Sequence, residues 1–326
     1  MSPQPPSPQP PRSSPLSPPA AAGVRLAWAG LPEDIRAAVE ARAGAAVAAA
    51  RDQRGGFSPG VAARLSLDDG SRLFVKAVAA STNADSAGMH RGEARTLAAL
   101  PPSVPAPRLR WTYDDGDWIV LGIEDVEGHS PPLPWRRDDL ERVIAALPAA
   151  PAPEGFVSLT AQLAGAFTGW RTLAAEPPAD LGPWALRHLD RLAELEASWP
   201  VHADGGTLLH SDLRADNLII GTDGEIHLVD WAHACSGAAW VDLTLLLTEV
   251  DRSRVDPDEI LAGAGAPPEG VDALLCAFAG FLAERCRQPA PPGLPTIRAY
   301  QRAYAASALG WLAQRTGWDG SVWALG

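Results

Sequence analysis

His210-Ser-Asp-Leu-Arg-Ala-Asp-Asn217 is followed thirteen residues later by Asp230-Trp231-Ala232, and the side chains of these two segments suit one reaction. That reaction is the transfer of a phosphoryl group from a nucleotide to a hydroxyl, in which a carboxylate accepts the hydroxyl proton while an amide and a second carboxylate hold Mg2+ against the phosphates. Asp212 is the candidate for the first task, and Asn217 and Asp230 for the second. Apolar runs flank them: Thr207-Leu-Leu, Leu218-Ile-Ile and Ile226-His-Leu-Val229, with a Thr222-Asp-Gly-Glu turn before the last. Strand, polar loop, strand, turn, strand, carboxylate is a path that returns two ligands distant in the chain to one ion.

A cation for the phosphates is singled out by composition. Of 27 Lys and Arg residues only Lys76 is a lysine, and it sits in Leu73-Phe-Val-Lys-Ala-Val78, a strand-like run. A compact ammonium reaches phosphate oxygens in a tight site where a guanidinium does not fit, and a helix glutamate can orient it. The stretch Ser86–Leu100 predicts that helix, with Glu93 as the glutamate. Ahead of Lys76, Arg54-Gly-Gly-Phe-Ser-Pro-Gly-Val61 joins two strand-like stretches, Val47–Ala50 and Val61–Leu67. Gly55, Gly56 and Gly60 would let backbone N–H groups approach phosphates. The segment is neither a Walker loop nor the protein-kinase glycine motif; alone it reads as a hairpin turn, and placed before Lys76 it reads as a lid over the nucleotide.

In this order the glycine loop, Lys76, Glu93, the Glu124-Asp-Val-Glu-Gly128 connector, His210 to Asn217 and Asp230 resemble the aminoglycoside phosphotransferase family of small-molecule kinases, tightly over 118–128 and 210–232 and loosely after 255. The resemblance implies an α+β, protein-kinase-like bilobal fold: a small β-rich N-lobe, a larger helical C-lobe, and ATP (or GTP) with Mg2+ between them. It implies that Trp118–Gly128 is the last small-lobe strand and hinge, with the backbone of Glu124 and Val126 on the adenine edge. Asp242, in Trp240-Val-Asp-Leu, resembles the buried helix aspartate that braces the catalytic loop, and His210 would orient that loop without acting as a base. Arg214 stands where protein kinases carry a lysine near the γ-phosphate; it reads either as an electrostatic stabiliser of the transferred group or as a solvated loop charge. The carboxylate Asp230 is followed by Trp231, where protein kinases have Phe.

The elements that must carry these residues follow from patterning. Pro32 to Gly44 predicts a helix opened by proline and closed by glycine, and Asp68-Asp-Gly70 and Asp114-Asp-Gly116 predict two hairpin turns. Helical patterns dominate afterwards, over 138–147, 158–175, 184–198, 239–250, 269–287 and 296–314. We therefore divide the chain into 1–22, 23–126 (nucleotide-binding N-lobe) and 127–326 (C-lobe, with the acceptor-binding helices). Residues 1–22 hold nine prolines among the first nineteen positions and predict a disordered tail. They lack a signal peptide's apolar core, no run is long enough to span a bilayer, and Cys235, Cys276 and Cys286 lack metal-ligand spacing. Together these read as a cytoplasmic protein with reduced thiols. Residues 127–326 carry 26 acidic and 14 basic side chains, the whole of the −12 net charge. That balance argues against nucleic acid as a partner and would steer a cationic acceptor. Eleven residues between Asp230 and Asp242 leave no room for a segment that would seat a peptide substrate. The expected activity is ATP- and Mg2+-dependent phosphorylation of a small-molecule hydroxyl, with an aminoglycoside or other antibiotic as the leading acceptor. Homoserine, choline, a sugar or a nucleoside antibiotic are the alternatives, and a non-catalytic nucleotide-binding scaffold is the remaining one.

Overall fold

Runs of Val, Ile, Leu and Ala at 61–67, 72–79 and 118–124 are rich enough in apolar side chains to be buried on both faces. In the computed structural model they are the middle of a five-stranded antiparallel sheet. The structure describes residues 23–318 except 54 and 58; the proline-rich segment 1–22, Trp323 and the rest of the C-terminus lie outside the described residues. The N-lobe comprises α1 (Glu33–Ala43), β1 (Val47–Asp52), β2 (Val61–Leu67), β3 (Arg72–Ala79), α2 (Ala84–Ala99), β4 (Leu109–Asp114) and β5 (Trp118–Glu124). Its strands lie in the order β1-β2-β3-β5-β4. Both Asp-Asp-Gly hairpins form, with Gly70 at φ +85° and Gly116 at φ +99°, a region that glycine enters without the cost a side chain brings.

The sheet has a core on each face. Ile35 and Val39 of α1 pack with Trp28, Leu31, Val61, Val75 and Val120 on one side. On the other, Val78, Ile119 and Leu121 meet Ala87, Ala94 and Leu97 of α2, and this core runs on into the C-lobe. The helix α2 starts at Asn83, whose side chain accepts the Ser86 N–H at 2.8 Å, the usual way of satisfying a helix's first free amides.

The C-lobe contains β6 (Gly128–His129), α3 (Arg137–Ala146), α4 (Leu159–Leu163), α5 (Gly169–Ala175), α6 (Pro183–Arg187), α7 (Leu189–Ala203), β7 (Thr207–Leu209), β8 (Leu218–Gly221), β9 (Ile226–Leu228), β10 (Cys235–Gly237), α8 (Val241–Leu247), α9 (Pro257–Gly263), α10 (Pro268–Arg285) and α11 (Ile297–Thr316). Small sheets β6-β8-β9 and β10-β7 hold the polar loops. The almost entirely apolar α10 is the hub, packed against α5, α7, α8 and α11. Its Cys276, like Cys235 and Cys286, is a buried free thiol. Among the described residues no helix is long and apolar enough to cross a membrane.

Several helix boundaries differ from the sequence reading, among them the single helix expected over 184–198, which is α6 and α7 parted at His188. The single helix expected over 158–175 is two, because Gly169 abuts α10 so closely that a Cβ there would lie 2.0 Å from the Gly280 carbonyl oxygen. The fully buried Glu196 carboxylate then starts α5 afresh, accepting the N–H groups of Trp170 at 2.9 Å and Arg171 at 3.1 Å. The helix expected to stop at 198 continues through Pro200 to Ala203, where buried Trp199 and Ala203 anchor the last turn in the core. The seven-residue α9 was not expected: it is too short to show periodicity, although Asp256-Pro257 is a start signal and Asp256 caps the amides of Asp258 and Glu259.

Candidate active site

Strand alternation aims the lysine. Val75 and Ala77 belong to the core under α1, so Lys76 points to the opposite face, toward α2. There its Nζ donates to Glu93 Oε1 at 2.7 Å and Oε2 at 2.8 Å, and to Asp230 Oδ1 at 2.9 Å. Residues from β3, α2 and the turn after β9 therefore meet on one ammonium. Burial opposes that charge, but the Asp230 and Glu93 carboxylates hold Lys76 above its ordinary range. Lys76 in turn keeps Asp230 below the usual carboxylate range, while burial pushes Glu93 up. The neighbouring His90 is pushed down to about 3 by burial and the same ammonium, so it adds no competing positive charge.

The loop 210–217 is fixed from below. Asp242 of α8, buried, accepts the backbone N–H groups of His210 at 2.6 Å and Ser211 at 2.8 Å. His210 is fully buried, with Nε2 2.9 Å from the Val229 carbonyl. A carbonyl can only accept, so Nε2 carries the proton; the ring ties this loop to the strand leading to Asp230. Trp231 packs beside it with the rings tilted, centroids 4.7 Å apart, and gives its indole N–H to the Leu228 carbonyl at 2.8 Å. The Val229 N–H also bonds the Asn217 carbonyl at 2.9 Å. Asn217 Nδ2 donates to the Asp212 carbonyl at 2.8 Å and to Asp212 Oδ2 at 3.1 Å. Ser211 (φ 64°) and Asp230 (φ 69°) both take the left-handed conformation that is costly outside glycine, a strain that the bonds around them sustain. Arg214 pairs with Asp212 and with Asp216 at 2.9 Å, and these carboxylates keep its charge fixed against burial.

The glycine loop and the hinge differ in detail from their expected parts. Gly60 is a packing residue: a Cβ there would lie 2.3 Å from the Ala77 carbonyl oxygen on β3. Gly55 and Gly56 lie at the tip and are held by Arg25, whose Nε donates to the Gly55 carbonyl at 2.8 Å and whose Nη2 would be 2.4 Å from a Cβ at Gly56. Burial lowers the Arg25 pKa, and the Asp230 carboxylate acts against that, which puts the guanidinium in the cleft's field. No sequence signal marked Arg25; it lies just past the proline-rich segment, and its partners follow about thirty residues later. In the hinge, the Glu124 N–H bonds the Arg108 carbonyl at 2.8 Å and the Val126 carbonyl accepts from Arg64 at 2.6 Å. Arg72 grips Asp125 and Glu127, each at 2.8 Å. Of the two backbone groups of Val126, the N–H is the one without a partner among the described residues.

The sequence profile of the APH phosphotransferase enzyme family matches residues 51–274, most of the chain. The chain belongs to that family. As a member it is a phosphotransferase acting on small-molecule hydroxyls. Homoserine kinase from Methylobacterium sp. (strain 4-46) is 38% identical over 82 residues, so the match spans 24% of this chain and only 25% of that enzyme. Among solved structures, aminoglycoside phosphotransferase APH(4)-Ia superposes with a TM-score of 0.60 at 12% identity, covering 88% of this chain and 99% of that one. Choline kinase LicA from Streptococcus pneumoniae gives 0.58 at 15% identity, with 84% and 98% covered. At such identities the likeness establishes the fold, the kinase-like α+β architecture that the sequence implied. A thermostable APH(4)-Ia mutant has been solved with ADP and hygromycin B, and LicA with AMP.

In this phosphotransferase a buried acid supports the 210–217 loop from the C-lobe. Glu249 accepts the Ala215 N–H at 2.9 Å, the Trp135 indole N–H at 3.3 Å and the Tyr304 hydroxyl. Burial raises its carboxyl from 4.5 to about 7, against the pull of those bonds. The folded chain therefore holds a proton that the unfolded chain releases above about 4.5, and stability contributed here falls as pH rises from there to about 7. Glu249→Gln should flatten that decline in urea unfolding midpoints measured between pH 5 and 7.5. The same slope in both proteins would place the titration elsewhere.

Proposed function

We propose that this enzyme transfers the γ-phosphoryl group of ATP (or GTP), in the presence of Mg2+, to a hydroxyl of a small molecule. One observation carries the reading: Lys76 bonds both Glu93 and Asp230, Asn217 bonds Asp212, and the Val229 N–H on the Asn217 carbonyl ties the second pair to the residue next to Asp230. In this role Lys76 aligns the phosphates while Glu93 holds it in place. A phosphate oxygen can take over the N–H now given to Asp230, because two of the three ammonium protons stay on Glu93. Backbone groups at Gly55 and Gly56 cover the phosphates, and the Val126 N–H, with the Glu124 carbonyl, meets the adenine edge. Gly60 acts by packing the loop onto β3.

Asn217 and Asp230 fit a magnesium ion. Asn217 uses Nδ2 for both its bonds to Asp212, which leaves its oxygen free, and one Asp230 oxygen is unengaged by Lys76. Hard oxygen donors in such small number suit Mg2+, which completes its shell with phosphates and water. When bound, held by Asn217 and Asp230, the ion would offset the negative charge of the phosphates. Asp212, with its backbone carbonyl fixing Asn217, orients the acceptor hydroxyl and takes its proton. Arg214 holds the Asp212 carboxylate in position. Arg25 supplies a second cation at the phosphates. Arg25→Gln is accordingly expected to raise the KM for Mg-ATP about tenfold, the scale of one charge-assisted contact; an unchanged KM in initial-rate measurements would remove Arg25 from the nucleotide site.

An aminoglycoside or other antibiotic, inactivated by phosphorylation, is the leading acceptor, and homoserine, choline, a sugar or a nucleoside antibiotic would use the same residues. The deciding experiment is ADP release by the purified protein with Mg-ATP across a panel of these compounds and macrolides. Stimulation by one class would support the reading and name the acceptor. Absence of nucleotide binding would overturn it.

A further inference from the structure

We infer that Glu249 is a positioning residue for the transfer itself: with Tyr304 it sets where Asp212 stands relative to the acceptor hydroxyl, an inference that rests on the phosphotransfer reading above. The reason lies in how residues 212–216 are held. Their side-chain bonds close on one another, because Arg214 grips Asp212 and Asp216 while Asn217 grips Asp212. Asp242 fixes the loop's entry at His210 and Ser211, and the Val229 N–H fixes its exit at Asn217. Between those ends, among the described residues, the Ala215 N–H on Glu249 is the one long-range hydrogen bond, at 2.9 Å. Burial of Leu213 and Ala215 adds attraction but no direction.

Glu249 lies two residues beyond α8 and is buried, and its three hydrogen-bond partners are all neutral. Oε2 takes the Ala215 N–H and the Trp135 indole N–H, and Oε1 takes the Tyr304 hydroxyl. A carboxyl buried among neutral donors is costly; what the site gains from it is two acceptor oxygens for three donors. Through Tyr304 the support reaches the cleft. Tyr304 stacks on Tyr300 with centroids 4.6 Å apart, and both line the cleft beside Asp212 and Arg214. Phe57 of the glycine loop meets the Tyr300 ring edge-on at 5.0 Å. A path of contacts thus runs from the glycine loop, through α11 and Glu249, to the amide between Arg214 and Asp216. Were Ala215 to shift, Arg214, next to it in the chain, would draw Asp212 out of line.

Counting active sites separates lost positioning from lost folding. Calorimetry on the full chain gives the number of Mg-ATP sites, and ADP release per site, to water and to each compound of the panel above, gives kcat and KM. Glu249→Leu removes all three bonds at similar volume. Its kcat per site should fall about 10²-fold, the scale of a small misplacement of reacting groups, with the KM for Mg-ATP held within about threefold. A purely structural Glu249 would instead cost sites and leave kcat per site alone. Glu249→Gln should restore most of the lost rate. Its amide oxygen accepts the two N–H groups and its NH2 donates to the Tyr304 oxygen, while the Tyr304 O–H turns to the neighbouring Tyr300 hydroxyl, which is buried and free to accept. Tyr304→Phe keeps the ring and the Ala215 bond, and should lower kcat by roughly threefold to tenfold, the scale of one hydrogen bond. Unchanged kcat per site in Tyr304→Phe or in a folded Glu249→Leu, Glu249→Gln as slow as Glu249→Leu, or a KM that rises in step with the lost rate would each overturn the inference. A parent chain that binds no Mg-ATP, or binds it and releases no ADP, would strike at the phosphotransfer reading itself.

Discussion

Asp212→Ala is expected to lower turnover by about 10²–10⁴, the scale of a lost general base, with ATP affinity nearly unchanged. The two effects separate because of how the loop is built. Asn217 Nδ2 bonds both the Asp212 side chain and its backbone carbonyl, the latter at 2.8 Å. Removing the carboxylate keeps the second bond, so the metal-facing amide stays in place. Asp242 continues to hold the His210 and Ser211 amides, and Lys76 keeps Glu93. What disappears is the acceptor for the hydroxyl proton. Single-turnover rates and calorimetric ATP titrations on the same preparation check this, and near-normal turnover would sink the assignment.

Asp230→Ala should have the second large effect, on binding. Of the two candidate metal ligands, Asp230 alone carries charge, and Lys76 already holds it ionised. Without it a single neutral amide oxygen remains, too little to compete with water for Mg2+. Lys76, released from Asp230, keeps both Glu93 oxygens and can still meet a phosphate. The expected result is residual ATP binding that no longer responds to Mg2+, with affinity for Mg-ATP down by two orders of magnitude or so, as for a lost charged contact of about 3 kcal/mol. Titrations with and without the metal decide it; an intact magnesium response would mean that the ligand lies elsewhere.

What the sequence made legible was whatever one local segment encodes. Asp212 and Asn217 share one loop, short turns bound the strands that return Asp230, and Lys76 stood out because no other lysine competes with it. The kinase-like fold followed from the same order of motifs. The glycine loop was harder, since a glycine that packs, as Gly60 does against Ala77, and a glycine that covers phosphates look alike in a string. Arg25, the Phe57–Tyr300 contact and Glu249 beneath Ala215 were not legible at all. Each depends on a meeting of distant segments, up to 243 residues apart for Phe57 and Tyr300 (300 minus 57), and neither helix nor strand periodicity reports such a meeting.

The two arginines of the hinge bear on how the lobes can move. The Val126 carbonyl is fastened to β2 through Arg64, whereas the Glu127 carbonyl accepts the Thr222 N–H at 3.1 Å, on the C-lobe side. Gly128 follows immediately in β6, backbone to backbone with β8. The chain thus passes from the grip of one lobe to that of the other within a single residue. Between those two bonds the φ and ψ of Glu127 are the only backbone torsions, and Arg72 ties that same residue's side chain to β3.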